Sequence, residues 1–225
     1  MNKTVPRASA VKRFFRPDGV LAAKHPAFEP RAGQLEMALA VENALEERRK
    51  LIVEAGTGTG KTLAYLVPAL LSERRVVIST GTKALQEQLF FRDIPFLERV
   101  LDRPLRVCYM KGRSNYACRE KIYEAEGSPV LTGLEEVADF QIISAWEKTT
   151  ENGDRAEIKT LPEDSAAWGK LDARSELCAG VKCKQYERCF ITLMHQRAAD
   201  ADIIIVNHHL FFADLSVRRD EMGSI

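Results

Sequence analysis

Residues Leu51 to Thr62 read Leu-Ile-Val-Glu-Ala-Gly-Thr-Gly-Thr-Gly-Lys-Thr. An apolar run ends in a glycine-rich turn, and the turn meets a lysine and a threonine before a helix-like pattern, Leu63, Leu66, Val67 and Leu70. The chemistry open to such a stretch is the holding of a polyphosphate. Gly56, Gly58 and Gly60 let successive N–H groups curl inward, and the start of the following helix adds donors and partial positive charge. Ala55 and the hydroxyl residues Thr57 and Thr59 complete the loop. Lys61 would place a full charge on the β- and γ-phosphates, and the Thr62 hydroxyl would hold Mg²⁺. The first glycine of the usual G-x-x-x-x-G-K-[ST] pattern is here Ala55, a small change. Lys61 and Thr62 are therefore the candidate catalytic pair of a nucleotide site.

A second constellation is built from sulfur. Cys178-x4-Cys183-x5-Cys189, with Cys118 sixty residues upstream, makes a four-thiolate set suited to Zn²⁺ or to an iron–sulfur cluster. Zinc ribbons favour two C-x2-C pairs, and the single wider gaps here lean away from zinc without excluding it. Cys108 lies inside an apolar run and reads as a packed core thiol. The flanks of the four cysteines are basic and aromatic: Lys111, Arg113, Arg119 and Lys121 around Tyr116, and Lys182, Lys184 and Arg188 around Tyr186 and Phe190. Cations for phosphates and rings for bases are what a single nucleic-acid strand requires. Arg113, Tyr116 and Lys182 are the candidate contacts.

The elements that must position these groups follow from periodicity. Gln34 to Arg49 repeats apolar residues at helical spacing, with Gln34 at its mouth able to make a bidentate amide contact to the edge of adenine. Apolar runs at 75–80, 105–110 and 201–207, together with the run before the phosphate loop, read as buried strands alternating with helices, including one from Lys83 to about Phe91. This predicts an α/β fold with a parallel sheet. Ser79-Thr80-Gly81-Thr82 falls at a strand's C-terminal end, where Thr80 and Thr82 would contact a strand's phosphates; Thr82 is equally suited to cap the next helix. Residues 124–176 differ: thirteen Asp and Glu against five Lys and Arg, net −8, with one helix expected over 134–146. They read as an insertion that begins and ends inside one domain, its acidic side turned away from any bound strand.

Composition sets the outer limits. A net charge of +1 over 225 residues gives no global attraction to nucleic acid, so any basic surface is local. No apolar stretch approaches membrane-spanning length and no secretory signal is visible, so a cytoplasmic location is expected, with the five cysteines used for metal or reactive thiols before disulfides. Residues 1–19 carry five cations against Asp18 and read as an exposed basic arm.

Taken together, Phe28-Glu29-Pro30-Arg31-Ala32-Gly33-Gln34, the loop Glu54 to Thr62, Ser79 to Leu89, Lys111-Gly112-Arg113-Ser114-Asn115-Tyr116-Ala117-Cys118, the three later cysteines and Val206-Asn207-His208-His209-Leu210 resemble the N-terminal part of the iron–sulfur helicases of the XPD/DinG group. Within that group the chain is most like the bacterial YoaA-like (DinG-like) helicases. The resemblance implies a RecA-like P-loop motor domain carrying an inserted iron–sulfur domain. Its boundaries would be an arm over 1–19, the motor over 20–111, the insert over 112–190, and the motor again over 191–225. It implies an ATP-dependent 5′-to-3′ DNA helicase moving on single-stranded DNA, in repair or replication, acting on forked DNA, with repair or replication proteins as partners and as a monomer. Gln34 would read adenine; Cys118, Cys178, Cys183 and Cys189 would hold a [4Fe-4S] cluster. The usual proline before that glutamine is Gly33 here.

An Asp-Glu-Ala-His run, which would hold Mg²⁺ and position water, is absent from the 225 residues. Asp220-Glu221 lacks a buried strand before it. The expectation is either a portion of a longer helicase or a truncated form, one that holds a cluster and nucleotide but does not turn over ATP as a motor. Two other classes stay open: a P-loop ATPase of another kind with a zinc-bound insert, and a non-catalytic module that binds single strands or partners.

Overall fold

In the computed structural model, three of the apolar runs pair into one parallel sheet: β1 (Val76–Thr80), β2 (Val107–Tyr109) and β3 (Ile203–Asn207), in the order β1-β3-β2. Val76 to Thr80 pair residue by residue with Ile203 to Asn207, and Val107 opens opposite Ile203. The central place of β3 explains its unbroken Ile-Ile-Ile-Val run, since both faces are covered and no alternation is needed. Residues 9–25, 27–127, 131–174 and 178–219 are described; Asp220-Glu221 and the cations Lys3 and Arg7 lie outside them. The chain divides into two compact units, Met1–Tyr109 with Ala201–His208, and Met110–Asp200 with His209–Ile225.

Among the described residues the first unit holds the sheet and six helices: α1 (Ala10–Phe14), α2 (Val20–Lys24), α3 (Ala32–Glu46), α4 (Lys61–Leu71), α5 (Lys83–Gln88) and α6 (Ile94–Leu101). α3 and α4 pack along one another, and their apolar faces join Leu89, Ile94, Leu97, Ile203 and Ile205 in one core. Between α5 and α6 the chain makes a π-helical turn, Leu89–Asp93. Its cause is legible: the buried residues Leu89 and Ile94 are five apart, too far for one α-helical stripe, and the wider turn brings both to the core.

Two expectations change here. Residues 9–19 are not an exposed arm, because Val11, Phe14 and Phe15 are buried in the same core, while Lys12, Arg13 and Arg16 face solvent. The amphipathic spacing of a five-residue helix, capped by Ser9, outweighs the basic composition. The strand expected before the phosphate loop does not form either: residues 50–56 have no regular structure and Ile52 is 98 % exposed. An extended run becomes a strand only when a neighbour supplies backbone partners, and none of the three strands pairs with it.

The second unit contains α7 (Arg119–Gly127), α8 (Leu134–Glu147), α9 (Ala166–Leu171), α10 (Phe190–Asp200) and all but the first residue of α11 (His208–Arg219). The acidic, weakly periodic insert has a core of its own, formed by Ile122, Ile143, Trp168, Leu171 and Phe190 with Ala117, Ile158, Leu161 and Ala167. Two antiparallel bridges, Tyr116 with Asp154 and Ala117 with Asp172, tie its irregular segments together. α10 clusters with this unit, ten residues beyond the expected end of the insert. No helix among the described residues is long and apolar enough to cross a membrane.

Candidate nucleotide site and cysteine cavity

Gly60 caps the N-terminus of α4 at φ 82°, a left-handed conformation that only glycine adopts without strain. A Cβ there would stand 2.2 Å from Gln34 Nε2, so the position is closed to side chains on two grounds. Lys61, the first residue of α4, turns its ammonium back into the loop. Nζ donates to the Ala55 carbonyl at 2.8 Å and also to that of Gly56. These carbonyl oxygens occupy the lysine as phosphate oxygens would. Thr59 Oγ1 donates to Gly56 O at 3.0 Å, and Arg31 Nη1 donates to Gly58 O.

Gln34 is buried in the first turn of α3 and donates from Nε2 to Gly60 O at 3.0 Å. It lines a cavity of about 410 Å³ with Met37, Ala40, Ile52, Val53 and Ala55. That volume, walled by apolar side chains together with the Gln34 amide and the Glu36 and Glu54 carboxylates beside a phosphate loop, has the size of a purine base. The structure thus brings Gln34, Ala55, Thr59, Gly60 and Lys61 together. Burial pushes the Tyr65 hydroxyl up in pKa, with the nearby Thr62 side chain opposing and the Asp93 carboxylate assisting.

At the C-terminal end of β1 the hydroxyls are committed within the protein. Thr80 is buried and donates to Thr82 O at 3.1 Å, while Thr82 Oγ1 accepts from Leu85 N at 3.2 Å and caps α5. Capping is therefore the observed role of Thr82, and Thr80 does not offer its hydroxyl to a strand. A contact that periodicity did not reveal joins Ser79 Oγ to His208 Nδ1 at 2.7 Å, linking the ends of β1 and β3. Gln86, fully buried, donates to Ile205 O at 3.2 Å and fixes α5 over β3.

In the second unit Cys118, Cys178, Cys183 and Cys189 all line one cavity of about 730 Å³, with Arg113, Lys121 and Lys182 at its wall. Among the described residues no three potential ligands already converge on one point, so the thiols share a cavity without forming a finished coordination shell. The donor set fits a thiolate-bound iron–sulfur cluster: four sulfurs, cations to balance an anionic centre, and backbone N–H groups aimed at sulfur. Gln185 N donates to Cys183 Sγ at 3.4 Å. The Gly180 N–H, and beyond it Arg113, hold the Cys178 thiol below its ordinary pKa against partial burial. Burial pushes the Cys118 thiol up, offset in part by the Lys121 N–H and ammonium and reinforced by Cys189. His195, on the same wall, is lowered by burial and then by Arg113, with Asp214 opposing. Cys108 is buried in β2, as its apolar surroundings predict.

Several expected strand contacts are corrected. Tyr116 is 4 % exposed and its hydroxyl accepts from Lys111 N, so its ring offers no face to a base. Lys111 is buried against Asp154 at 2.6 Å, and Arg119 against Glu147. These cations serve the interior, because pairing partners distant in sequence, Asp154 for Lys111 and Glu147 for Arg119, neutralise them. Arg113 donates to Ala173 O at 2.8 Å and is half-buried, whereas Lys182 is exposed on a 3-10 turn between Cys178 and Cys183.

Comparison with known proteins places this geometry. Residues 36–158 match the sequence profile described as DEAD/DEAH box helicase. The chain is 42 % identical over 211 residues to the ATP-dependent DNA helicase YoaA of Escherichia coli, covering 94 % of the chain and 33 % of that protein. It is 40 % identical over 215 residues to YoaA of Haemophilus influenzae, covering 96 % and 34 %. Against the ATP-dependent helicase DinG of Mycobacterium tuberculosis H37Rv the identity is 38 % over 206 residues, covering 82 % and 31 %. The chain spans about a third of the length of the curated relatives it matches.

Proposed function

The chain belongs to the DEAD/DEAH box helicase family, and from that premise we propose that it is the N-terminal part of an ATP-dependent DNA helicase that moves 5′ to 3′ on single-stranded DNA in repair or replication. The observation that carries this reading is the phosphate loop itself: Gly60 and Lys61 open α4 beside a base-sized cavity walled by Gln34. ATP entering that site exchanges the Ala55 and Gly56 carbonyls for phosphate oxygens on Lys61 Nζ, an exchange of like acceptors that leaves the ammonium satisfied throughout. The helix N-terminus neutralises further phosphate charge. The Thr62 hydroxyl would hold Mg²⁺, and Gln34 would read the adenine edge.

Water activation needs a positioned carboxylate, and no Asp-Glu-Ala-His run occurs in these 225 residues. On this reading the chain by itself binds nucleotide and does not cycle. Cys118, Cys178, Cys183 and Cys189 would hold a [4Fe-4S] cluster, which when bound links their segments covalently and supplies a redox-capable centre. Lys182, exposed in the second unit, remains the proposed strand contact, on forked as on single-stranded DNA; the protein is read as cytoplasmic and monomeric.

The test uses protein purified anaerobically. The expected result is iron and acid-labile sulfide at about four each per chain, fluorescent ATP binding that Lys61→Ala abolishes, and single-strand binding whose salt slope falls in Lys182→Glu. Zinc in place of iron would favour a P-loop ATPase with a zinc-bound insert. Nucleotide binding indifferent to Lys61 would overturn the reading.

A further inference from the structure

Two cysteine-bearing segments of the second unit meet at one turn that carries no cysteine. Gly153 has φ +67°, and a Cβ on it would fall 2.2 to 2.7 Å from atoms of the Phe190 ring. Phe190, fully buried, directly follows Cys189. On its other side the turn holds the segment before Cys118: Ala117 N donates to Gly153 O at 2.9 Å, and Tyr116 bridges Asp154. Cys118 N is itself engaged, donating to Leu171 O at 2.8 Å.

Charge closes the arrangement. Asp154 pairs with Lys111 at 2.6 Å with both side chains buried, and its other oxygen accepts from Ala156 N at 2.9 Å. Arg119, next after Cys118, pairs with Glu147 and lays its guanidinium 4.1 Å from the centre of the Phe190 ring. Glu147 also accepts from Tyr123 Oη at 3.1 Å. The residues beside Cys118 and Cys189 are thus stacked on each other and locked to Gly153-Asp154 without any use of sulfur.

The other two cysteines stand differently. Cys178 is exposed, Cys183 lies between two short 3-10 turns that bury no residue, and Val181 between them is exposed.

We infer that the Gly153-Asp154 turn, with Arg119 and Phe190, presets Cys118 and Cys189 as the fixed half of a metal-thiolate site, while Cys178 and Cys183 are the half that the metal orders. This rests on the iron–sulfur reading for the identity of the metal, but the division into a fixed and an ordered half concerns the chain alone. Gly153, Arg119 and Phe190 are positioning residues; they touch no metal.

Hydrogen exchange on the cluster-loaded chain, and on the same chain after oxidative chelation, reads the division directly. The expected result is that the amides of Ala117, Cys118 and Leu193 stay protected in both states, while residues 178–188 lose protection when the metal leaves. Loss of protection across 112–200 as one block would overturn the inference. Absence of iron and sulfide from the purified chain would instead overturn the proposed function, and the metal-free exchange pattern would still decide this one. In a second arm, Gly153→Ala should release iron to a chelator about tenfold or more faster than the parent, read from the visible charge-transfer absorbance. Relieving the clash in the Gly153→Ala/Phe190→Ala double variant, which removes the Cγ and Cδ atoms that a Cβ on residue 153 would meet, should recover part of that loss. A double variant no slower than Gly153→Ala would contradict the contact assigned to Phe190.

Discussion

Asp154→Asn tests the interior of the second unit most directly. Asparagine keeps an oxygen for the Ala156 N–H and replaces only the charge facing Lys111. Both side chains are largely out of water, 6 % exposed for Lys111 and 12 % for Asp154. Removing one partner of such a pair leaves an uncompensated buried charge, at a cost of ~3–5 kcal/mol. With a urea dependence of roughly 2 kcal/mol per molar for a domain of this size, the unfolding midpoint should fall by about 1.5 to 2.5 M. Both tryptophans of the chain, Trp146 and Trp168, lie in this unit with ring centres 6.1 Å apart. Intrinsic fluorescence therefore follows its unfolding selectively. Lys111→Met should cost a similar amount. The double variant should cost far less than the sum, since it leaves no charge behind. Additive losses, or single losses below about 1 kcal/mol as for exposed pairs, would refute the burial argument.

Two further outcomes follow. Gly60→Ala combines left-handed strain of about 1–2 kcal/mol with a collision at Gln34 Nε2, so fluorescent-nucleotide titration should show at least a tenfold loss of ATP affinity while far-ultraviolet circular dichroism is unchanged. In the metal-free chain, Cys178, with its thiol pKa lowered, holds more thiolate at any pH than an ordinary cysteine, and Cys118, with its pKa raised, holds less. Alkylation followed by peptide mass spectrometry should find Cys178 modified faster at neutral pH and Cys118 catching up only as pH rises; the opposite order would contradict the assigned surroundings. The lowered thiol also binds fewer protons folded than unfolded, so its contribution to stability is present above the ordinary thiol range and fades as pH falls through the folded value.

The phosphate loop was legible because its requirements are local. Positive φ at Gly58 and Gly60 and a lysine at a helix start are properties of a dozen adjacent residues. Two of the three sheet strands were equally plain, since β-branched runs such as Val76–Ile78 and Ile203–Val206 have few other uses. What stayed hidden depends on distant partners. Lys111 and Arg119 look like strand-binding cations until Asp154 and Glu147 are seen opposite them. Gly153 reads as an ordinary turn glycine, and only the Phe190 ring against its Cα shows why no side chain fits. The basic composition of residues 1–19 masked the short apolar stripe of Val11, Phe14 and Phe15. For Leu51 to Val53, hydropathy signalled a strand, but pairing is not a local property.

The π-helical turn at Leu89–Asp93 bears on how this chain tolerates changes of length. From Lys83 to Leu101 the backbone is helical throughout, and Pro95 lies just beyond the wide turn. Dropping one residue between Leu89 and Ile94 would turn their spacing from five to four and let an ordinary α-helix carry both to the core. Dropping one within α6 would instead rotate the residues beyond it by about 100° and expose part of the Leu97 and Val100 stripe. The wide turn thus marks the place in this helix where a residue has the character of an insertion, absorbed without disturbing the packing on either side.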